Sequence, residues 1–244
     1  MLNTIKYSDI RSTLNPFDLV LFSGSDVISS AIKFAEKREL KDMSIYPIQN
    51  QIGMFSHVGI IVTSDILDHP NVLPGKKYIL ESTASGAHGY GVPNIDGKTF
   101  IGVQIRDLDI LIEAYLKPVD NKISIAKLIN NPFLGTDSPN LKERFTTLYK
   151  DINGMPYDFN LIDLGCTIFE WCRRYRSLAD RIVGSGTWLF CSELVAIVYK
   201  DFGILPATVD PIDISPMGYL GYTSPSIPVV PIVVKIPPTY IVVD

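Results

Sequence analysis

Trp188-Leu-Phe-Cys191-Ser-Glu-Leu-Val-Ala-Ile-Val-Tyr-Lys-Asp-Phe202-Gly203 is the stretch around which the rest of the chain is organised. Leu194, Val195, Ile197, Val198 and Phe202 recur at helical spacing. Gly203 then supplies a C-cap and Pro206 lies beyond it. The run Leu-Val-Ala-Ile-Val-Tyr is β-branched enough for a strand, but its length and glycine stop favour a helix. The spacing therefore predicts a loop that delivers Cys191 to the first turn of a buried helix. A thiol in that position feels the positive end of the helix dipole, and with an imidazolium beside it such a thiol falls from about 8.5 into the range of about 3.5 to 7.5. Taken alone, an unpaired cysteine among apolar residues is an ordinary small core residue. The assignment of chemistry must come from its partners.

The chain has 244 residues, 46% of them hydrophobic, which suits one globular core rather than a disordered polymer. No low-complexity linker divides it, so residues 1–244 are read as one domain. The net charge is −4, and no basic block tracks a phosphate backbone, so nucleic acid is excluded as a partner. Three cysteines, two of them (Cys166 and Cys172) close together in one helical pattern, do not make a disulfide framework. The first residues lack an apolar stretch after a basic one, so no secretory leader is expected. A reducing, cytoplasmic compartment follows, which for a viral chain means the host-cell cytoplasm.

Phe17–Phe22 is a short apolar run closed by Ser23-Gly24-Ser25, a buried strand and turn, and the residues from Asp26 to Glu39 have a helical apolar face. Phe55–Val62 reads as a strand with His57 near its start. Gly59 lies on the same face as His57 and removes a side chain, which lets another group approach closely. Lys77–Ser82 pairs with it as a hairpin and carries Glu81, while Asp68-His69-Pro70-Asn71 is turn and His69 a solvated residue. Gly86–Gly91 lacks dinucleotide spacing and is a loop, with His88 a reserve candidate. Thr99–Arg106 is a third strand, and Leu108–Leu116 fits strand or helix. Ile123–Ile129 and Asn140–Tyr149 read as helices, which makes about 107–150 a helical insertion. Leu161–Ile182 is a longer helical pattern whose Arg173, Arg174 and Arg176 form its wet face. The Pro-rich extension of about 222–244 is too broken for a membrane helix and is expected as edge strands or an arm over the sheet, so any membrane contact would be peripheral.

Three histidines without metal-ligand spacing disfavour a metal site, and no cofactor is expected. No Gly-x-Ser-x-Gly elbow or Walker loop occurs. What remains is one helix-start cysteine, one strand histidine and one strand carboxylate. Cysteine attacks an acyl carbon, histidine moves the proton, and a carboxylate fixes the ring. On the other side, His57 could be a hydrogen-bonded core histidine, Glu81 could pair with Lys77, and Tyr157 in its turn is more simply a packed tyrosine. Glu193 suits the first turn of the helix and should point away from the sulfur.

Phe17-Asp18-Leu-Val-Leu-Phe, Ser56-His57-Val-Gly-Ile-Ile-Val, Ile79-Leu-Glu81-Ser, Gly154-Met-Pro-Tyr157-Asp and Phe190-Cys191-Ser-Glu-Leu-Val come in an order that resembles the circularly permuted branch of NlpC-like papain-fold hydrolases. That branch includes YiiX-type proteins, lecithin retinol acyltransferase relatives and a poxviral group; in it the cysteine follows the histidine. The resemblance covers most of 15–105 and 150–220. It implies an α+β fold with an antiparallel sheet or small barrel packed against helices, among them the one carrying Cys191. It further implies Cys191 as nucleophile, His57 as general base and Glu81 as the group orienting it. Ser192 and Tyr157 become candidates for substrate binding or the oxyanion site. Phe17 departs from the pattern, standing where that family commonly has glycine. The expected activity is cleavage of a peptide, amide or lipid ester through an acyl-enzyme. Transfer of the acyl group to a lipid acceptor is one alternative, and a fold retained for binding without turnover is the other.

Overall fold

The computed structural model describes residues 4–24, 55–83, 91–134, 139–157, 189–211, 214–220, 233–234 and 238–243. Seven strands form one sheet: β1 (Thr4–Lys6), β2 (Leu19–Ser23), β3 (His57–Val62), β4 (Tyr78–Thr83), β5 (Gly102–Asp107), β6 (Lys122–Ala126) and β7 (Thr239–Val242). Their order across the sheet is β1-β7-β6-β2-β3-β4-β5. Only β1 and β7 run parallel; every other pair is antiparallel. The sheet is open, with β1 and β5 at its ends, so the barrel alternative does not hold among the described residues. Among the described residues four α-helices accompany it: α1 (Tyr7–Ile10), α2 (Leu108–Tyr115), α3 (Pro139–Ile152) and α4 (Cys191–Asp201).

Strand alternation divides the core in two. Leu19, Leu21, Val58, Ile60, Val62, Tyr78, Leu80, Val103 and Ile105 turn one face toward Leu194, Val195 and Val198 of α4. Val20, Phe22, Ile61, Ile79, Ile123 and Ile125 turn the other toward Leu108, Leu111 and Ile112 of α2. Both faces of the sheet are covered, which is why its strands read as continuous apolar runs rather than as alternating ones.

That double burial also explains where the expectations fail. Ile123–Ile129 is not a helix: Lys122–Ala126 is a strand paired with β2 on one side and β7 on the other. Its two isoleucines fill the second core, while Ser124 and Ala126 face the first, so the segment looks apolar throughout and its period is hidden. The span 107–150 is therefore helix, strand, helix, and its strand is integral to the sheet. Leu108–Leu116 resolves as helix. Asp107, the last residue of β5, caps it by accepting from the backbone N–H groups of Asp109 at 3.0 Å and Ile110 at 3.3 Å. The tail supplies β7, which is not an edge: β1 lies outside it. The expected helices over 26–39 and 161–182, and residues 86–90 of the expected loop, lie outside the described residues.

The helix α4 begins at Cys191 and ends as its sequence requires. Gly203 adopts a φ of 68°. The Gly203 N–H bonds the Lys200 carbonyl at 3.0 Å and the Ile204 N–H bonds that of Tyr199 at 2.8 Å, the two bonds of a Schellman cap. Gly59 is needed for packing instead: a Cβ there would stand 2.7 Å from the Ile79 side chain and 2.8 Å from the Leu80 carbonyl oxygen.

Phe17 has a φ of 65°, in the left-handed region where glycine is favoured. Its ring is fully buried, stacked on Phe133 at 4.4 Å and edge-on to Phe145 at 5.6 Å, and its carbonyl accepts the Tyr199 hydroxyl at 2.6 Å. The backbone cost of about 1 kcal/mol is small beside the ~3 to 5 kcal/mol carried by a buried phenylalanine. Phe17→Gly should thus destabilise the protein by about 2 to 4 kcal/mol in urea unfolding, despite relieving the backbone; an unchanged midpoint would show that the aromatic cluster contributes nothing.

Candidate functional site

The site is assembled where β3, β4 and the start of α4 meet. His57 opens β3, with its ring against Phe22 at 5.3 Å between centroids and about a fifth of its side chain exposed. Its Nε2 lies 2.6 Å from Glu81 Oε2. Glu81 opposes Gly59's stretch of β3 from the neighbouring strand and is fully buried. Its second oxygen, Oε1, accepts from Arg106 Nε at 2.5 Å, and Arg106 Nη2 closes on the same atom. Arg106 belongs to β5 and is itself buried.

Cys191 reaches this group from the other side. Its sulfur is near enough to the His57 imidazole to act on the ring's charge, and since Nε2 is engaged by Glu81, Nδ1 is the nitrogen left to meet it. Cys191 is buried, and it is the free cysteine among the described residues. Cys166 and Cys172 lie outside them.

The loop before Cys191 is held by adjacent residues of the same strand. Ser82, next to Glu81 and therefore facing the opposite side of β4, donates its hydroxyl to the Leu189 carbonyl at 2.5 Å. The Leu189 N–H bonds the Pro156 carbonyl at 3.2 Å, and Leu189 forms a single parallel bridge with Tyr157. The Gly154-Met-Pro-Tyr157 turn is docked in turn on β5, through Val103 N–H to Met155 O at 2.8 Å and Gly154 N–H to Val103 O at 3.0 Å.

Tyr157 and Ser192, the candidates for substrate binding or the oxyanion site, both make packing contacts here. Tyr157 is buried and edge-on to the Phe190 ring at 5.7 Å, so it packs the turn. Ser192 is buried, and its carbonyl accepts the Tyr219 hydroxyl at 2.7 Å, which ties the first turn of α4 to the segment beyond it. Glu193 reaches back to the Phe190 N–H at 3.4 Å. A phenylalanine side chain offers no acceptor, so only this returning half of a capping box exists. It draws the carboxylate toward the N-cap backbone, consistent with a charge that does not oppose the sulfur.

Asp18, prominent in the opening motif, does structural work. Its oxygens accept from the backbone N–H groups of Asn15 and Leu128, both at 2.9 Å, joining the entry to β2 to the exit of β6. His69 accepts from the Asn71 N–H on its own loop and lies 3.7 Å from Asp96 on the loop before β5, and Lys77 donates to the Leu14 carbonyl rather than to Glu81. His88 lies outside the described residues. Among those described, no three His, Cys, Asp or Glu side chains are grouped to hold a metal.

No protein-family model matches this chain, and no curated protein is significantly similar to it. What the site can do must therefore be read from its charges. Burial works against ionisation of both partners. It pulls the His57 imidazole down, but the Cys191 sulfur and the Glu81 carboxylate outweigh it and raise the ring from 6.5 to about 10. Burial likewise pushes Glu81 up, yet the Arg106 charge and the His57 hydrogen bond and charge bring it from 4.5 to about 2. The favoured state is an imidazolium between a carboxylate and the sulfur. Such a ring is already charged, and its proton is available to a leaving group.

Arg106 and Ser82 were not singled out from the sequence. A signal for the first existed: an arginine inside the apolar run Ile101–Ile105 and its continuation must find an acid if the strand is buried.

The pH dependence of stability follows with opposite signs on the two sides. His57, raised when folded, contributes fully below about 6.5, and the contribution is lost as pH climbs through about 10. Glu81, lowered when folded, contributes fully above about 4.5, and that contribution is lost as pH falls through about 2. Both are complete between about 4.5 and 6.5. Glu81→Gln should lower stability in that window by about 3 kcal/mol, because Arg106 becomes an uncompensated buried charge, and should flatten the acid-side loss. Chemical denaturation from pH 3 to 10 measures both; a variant curve parallel to the wild type contradicts the assignment.

Proposed function

We propose that this chain is a thiol hydrolase of the circularly permuted papain-like kind, cleaving an amide or ester through a thioester on Cys191. The observation that carries the reading is the His57–Glu81 hydrogen bond with the Cys191 sulfur beside the ring, the thiol standing at the first residue of a buried helix. The order along the chain agrees with the permuted branch: the histidine strand precedes the acid strand, and the cysteine helix follows both.

The chemistry runs as follows. His57 holds the thiol proton, and the sulfur attacks the acyl carbon, forming the C–S bond and moving the carbonyl electrons onto oxygen. The first N–H groups of α4 have no intrahelical acceptors, and that of Cys191 is directed to the oxyanion, a donor worth about 3 kcal/mol in such sites. As the tetrahedral species collapses, the bond to the leaving amine or alkoxide breaks and His57 protonates it. A water then gives a proton to His57 and attacks the thioester; the carbon–sulfur bond breaks, the acid leaves, and the pair is restored. Glu81 stays ionised throughout and keeps the ring in place.

With the full chain at pH 7, iodoacetamide should label Cys191 before Cys166 and Cys172, and His57→Ala should slow that labelling about tenfold or more. An activated ester such as p-nitrophenyl acetate should give a burst equal to the enzyme present and a thioester mapped to Cys191. In His57→Ala the turnover should fall about 100-fold. Equal labelling of the three cysteines, with no burst, would remove the basis for the reading.

A further inference from the structure

The charges at the site do not end at the acid. Glu81 has two oxygens and uses one on each neighbour: Oε2 on His57 and Oε1 on Arg106. The guanidinium approaches Oε1 with both Nε and Nη2. Arg106 is about 5% exposed and sits on the strand beside β4, in the same sheet face as Glu81. The segment over it is fixed as well, since Asn94 bridges Arg106 and the Ile95 N–H bonds the Ile105 carbonyl at 2.9 Å. Cys191, His57, Glu81 and Arg106 thus form one row, buried except for part of the His57 ring, in which a sulfur, an imidazole, a carboxylate and a guanidinium follow one another.

We propose that Arg106 is the positioning residue of the Cys191–His57 pair, pinning Glu81 Oε1 so that Oε2 faces the ring and balancing the carboxylate charge inside the protein. This rests on the thiol-hydrolase reading for its catalytic meaning, though not for its electrostatics. With thiolate and imidazolium formed, the four charges sum to zero. Without the guanidinium a net negative charge is left in a buried site, which disfavours the thiolate and draws a proton back to the sulfur at higher pH. That proton withdraws the nucleophile. The acid limb of Cys191 reactivity must then move toward neutral pH.

The test is a charge cycle on the full chain, read by two measurements. The rate of Cys191 alkylation by iodoacetamide is followed from pH 4 to 9, and the melting temperature over the same range, for wild type, Arg106→Gln, Arg106→Lys, Glu81→Gln and the double variant Glu81→Gln/Arg106→Gln. Arg106→Gln should move the acid limb up by about one pH unit, about tenfold in rate on the limb, and shift the acid-side fall in melting temperature the same way. Arg106→Lys keeps the charge and should keep the limb, with a lower plateau from the lost two-nitrogen contact. The double variant again sums to zero, and its limb should return close to the wild-type position.

An arginine that merely filled space would not be rescued by removing its partner's charge. Parallel profiles for wild type and a folded Arg106→Gln overturn the proposal, whatever the reactivity of Cys191. Shifted melting curves with rescue in the double variant, but no selective alkylation of Cys191, uphold the role of Arg106 and overturn the hydrolase reading instead. If Arg106→Gln alone does not fold, recovery of folding in the double variant reports the same coupling; failure of both assigns Arg106 to the scaffold and overturns the proposal.

Discussion

A carboxylate shut away from water between an imidazole and a guanidinium sets the terms for everything around it. Glu81 can stay ionised there only because each of its oxygens meets a cationic donor, and those donors come from different strands. β3 must start at His57, β5 must carry Arg106 in the matching register, and β4 must run between them. A slip of one residue in either pairing would turn a charge into the apolar core on the opposite face. The neighbouring residue of β4 uses that same alternation in the other direction: Ser82 holds the Leu189 carbonyl two residues before Cys191. One strand therefore fixes Glu81 on one side and the approach to Cys191 on the other.

Much of this frame could be read before any coordinates. His57, Glu81 and Cys191 each stood out as a polar or reactive residue at the end of an apolar element, and the structure brings the three together. The helix stop at Gly203 was legible because a left-handed cap has a narrow residue preference. Elements whose identity depends on partners were not legible. Nothing local distinguishes Ile123–Ala126 from a helical turn until β2 and β7 are seen on its flanks, and short apolar runs are ambiguous for that reason. The Pro-rich tail was expected at an edge because proline avoids ladders, yet its last residues lie inside the sheet under cover of β1. Arg106 escaped notice because its significance lies wholly in a contact between strands.

Phe17 shows how a local rule can be broken where the surroundings over-determine the outcome. The turn into β2 needs a positive φ, and glycine would adopt it freely. A phenylalanine is held there by rings from Phe133, Phe145, Tyr199 and Phe202, contributed by the loop after β6, by α3 and by the end of α4. The Tyr199 hydroxyl then clamps the Phe17 carbonyl. The ring consequently packs the entry of β2 against Tyr199 of the helix that carries Cys191 and Phe202 at its end, a contact that glycine would not make, whereas the carbonyl bond is open to either residue.

Stability alone is a poor account of the buried row. Taking a carboxylate and a guanidinium out of water costs several kcal/mol per ion even after relaxation, and well-packed apolar residues of similar size are often as stable or more so. A sheet with isoleucine, valine and leucine on both faces had such residues to hand on every strand. The expense falls on three neighbouring strands, β3, β4 and β5, beside which the Cys191 sulfur also lies. A row that keeps a proton on the ring and a balanced charge beside a sulfur answers a chemical requirement, since reactive groups with strongly shifted titration gather where such shifts serve a reaction. A polar row of that cost, set across three neighbouring strands, is the physical ground for the proposed thiol chemistry.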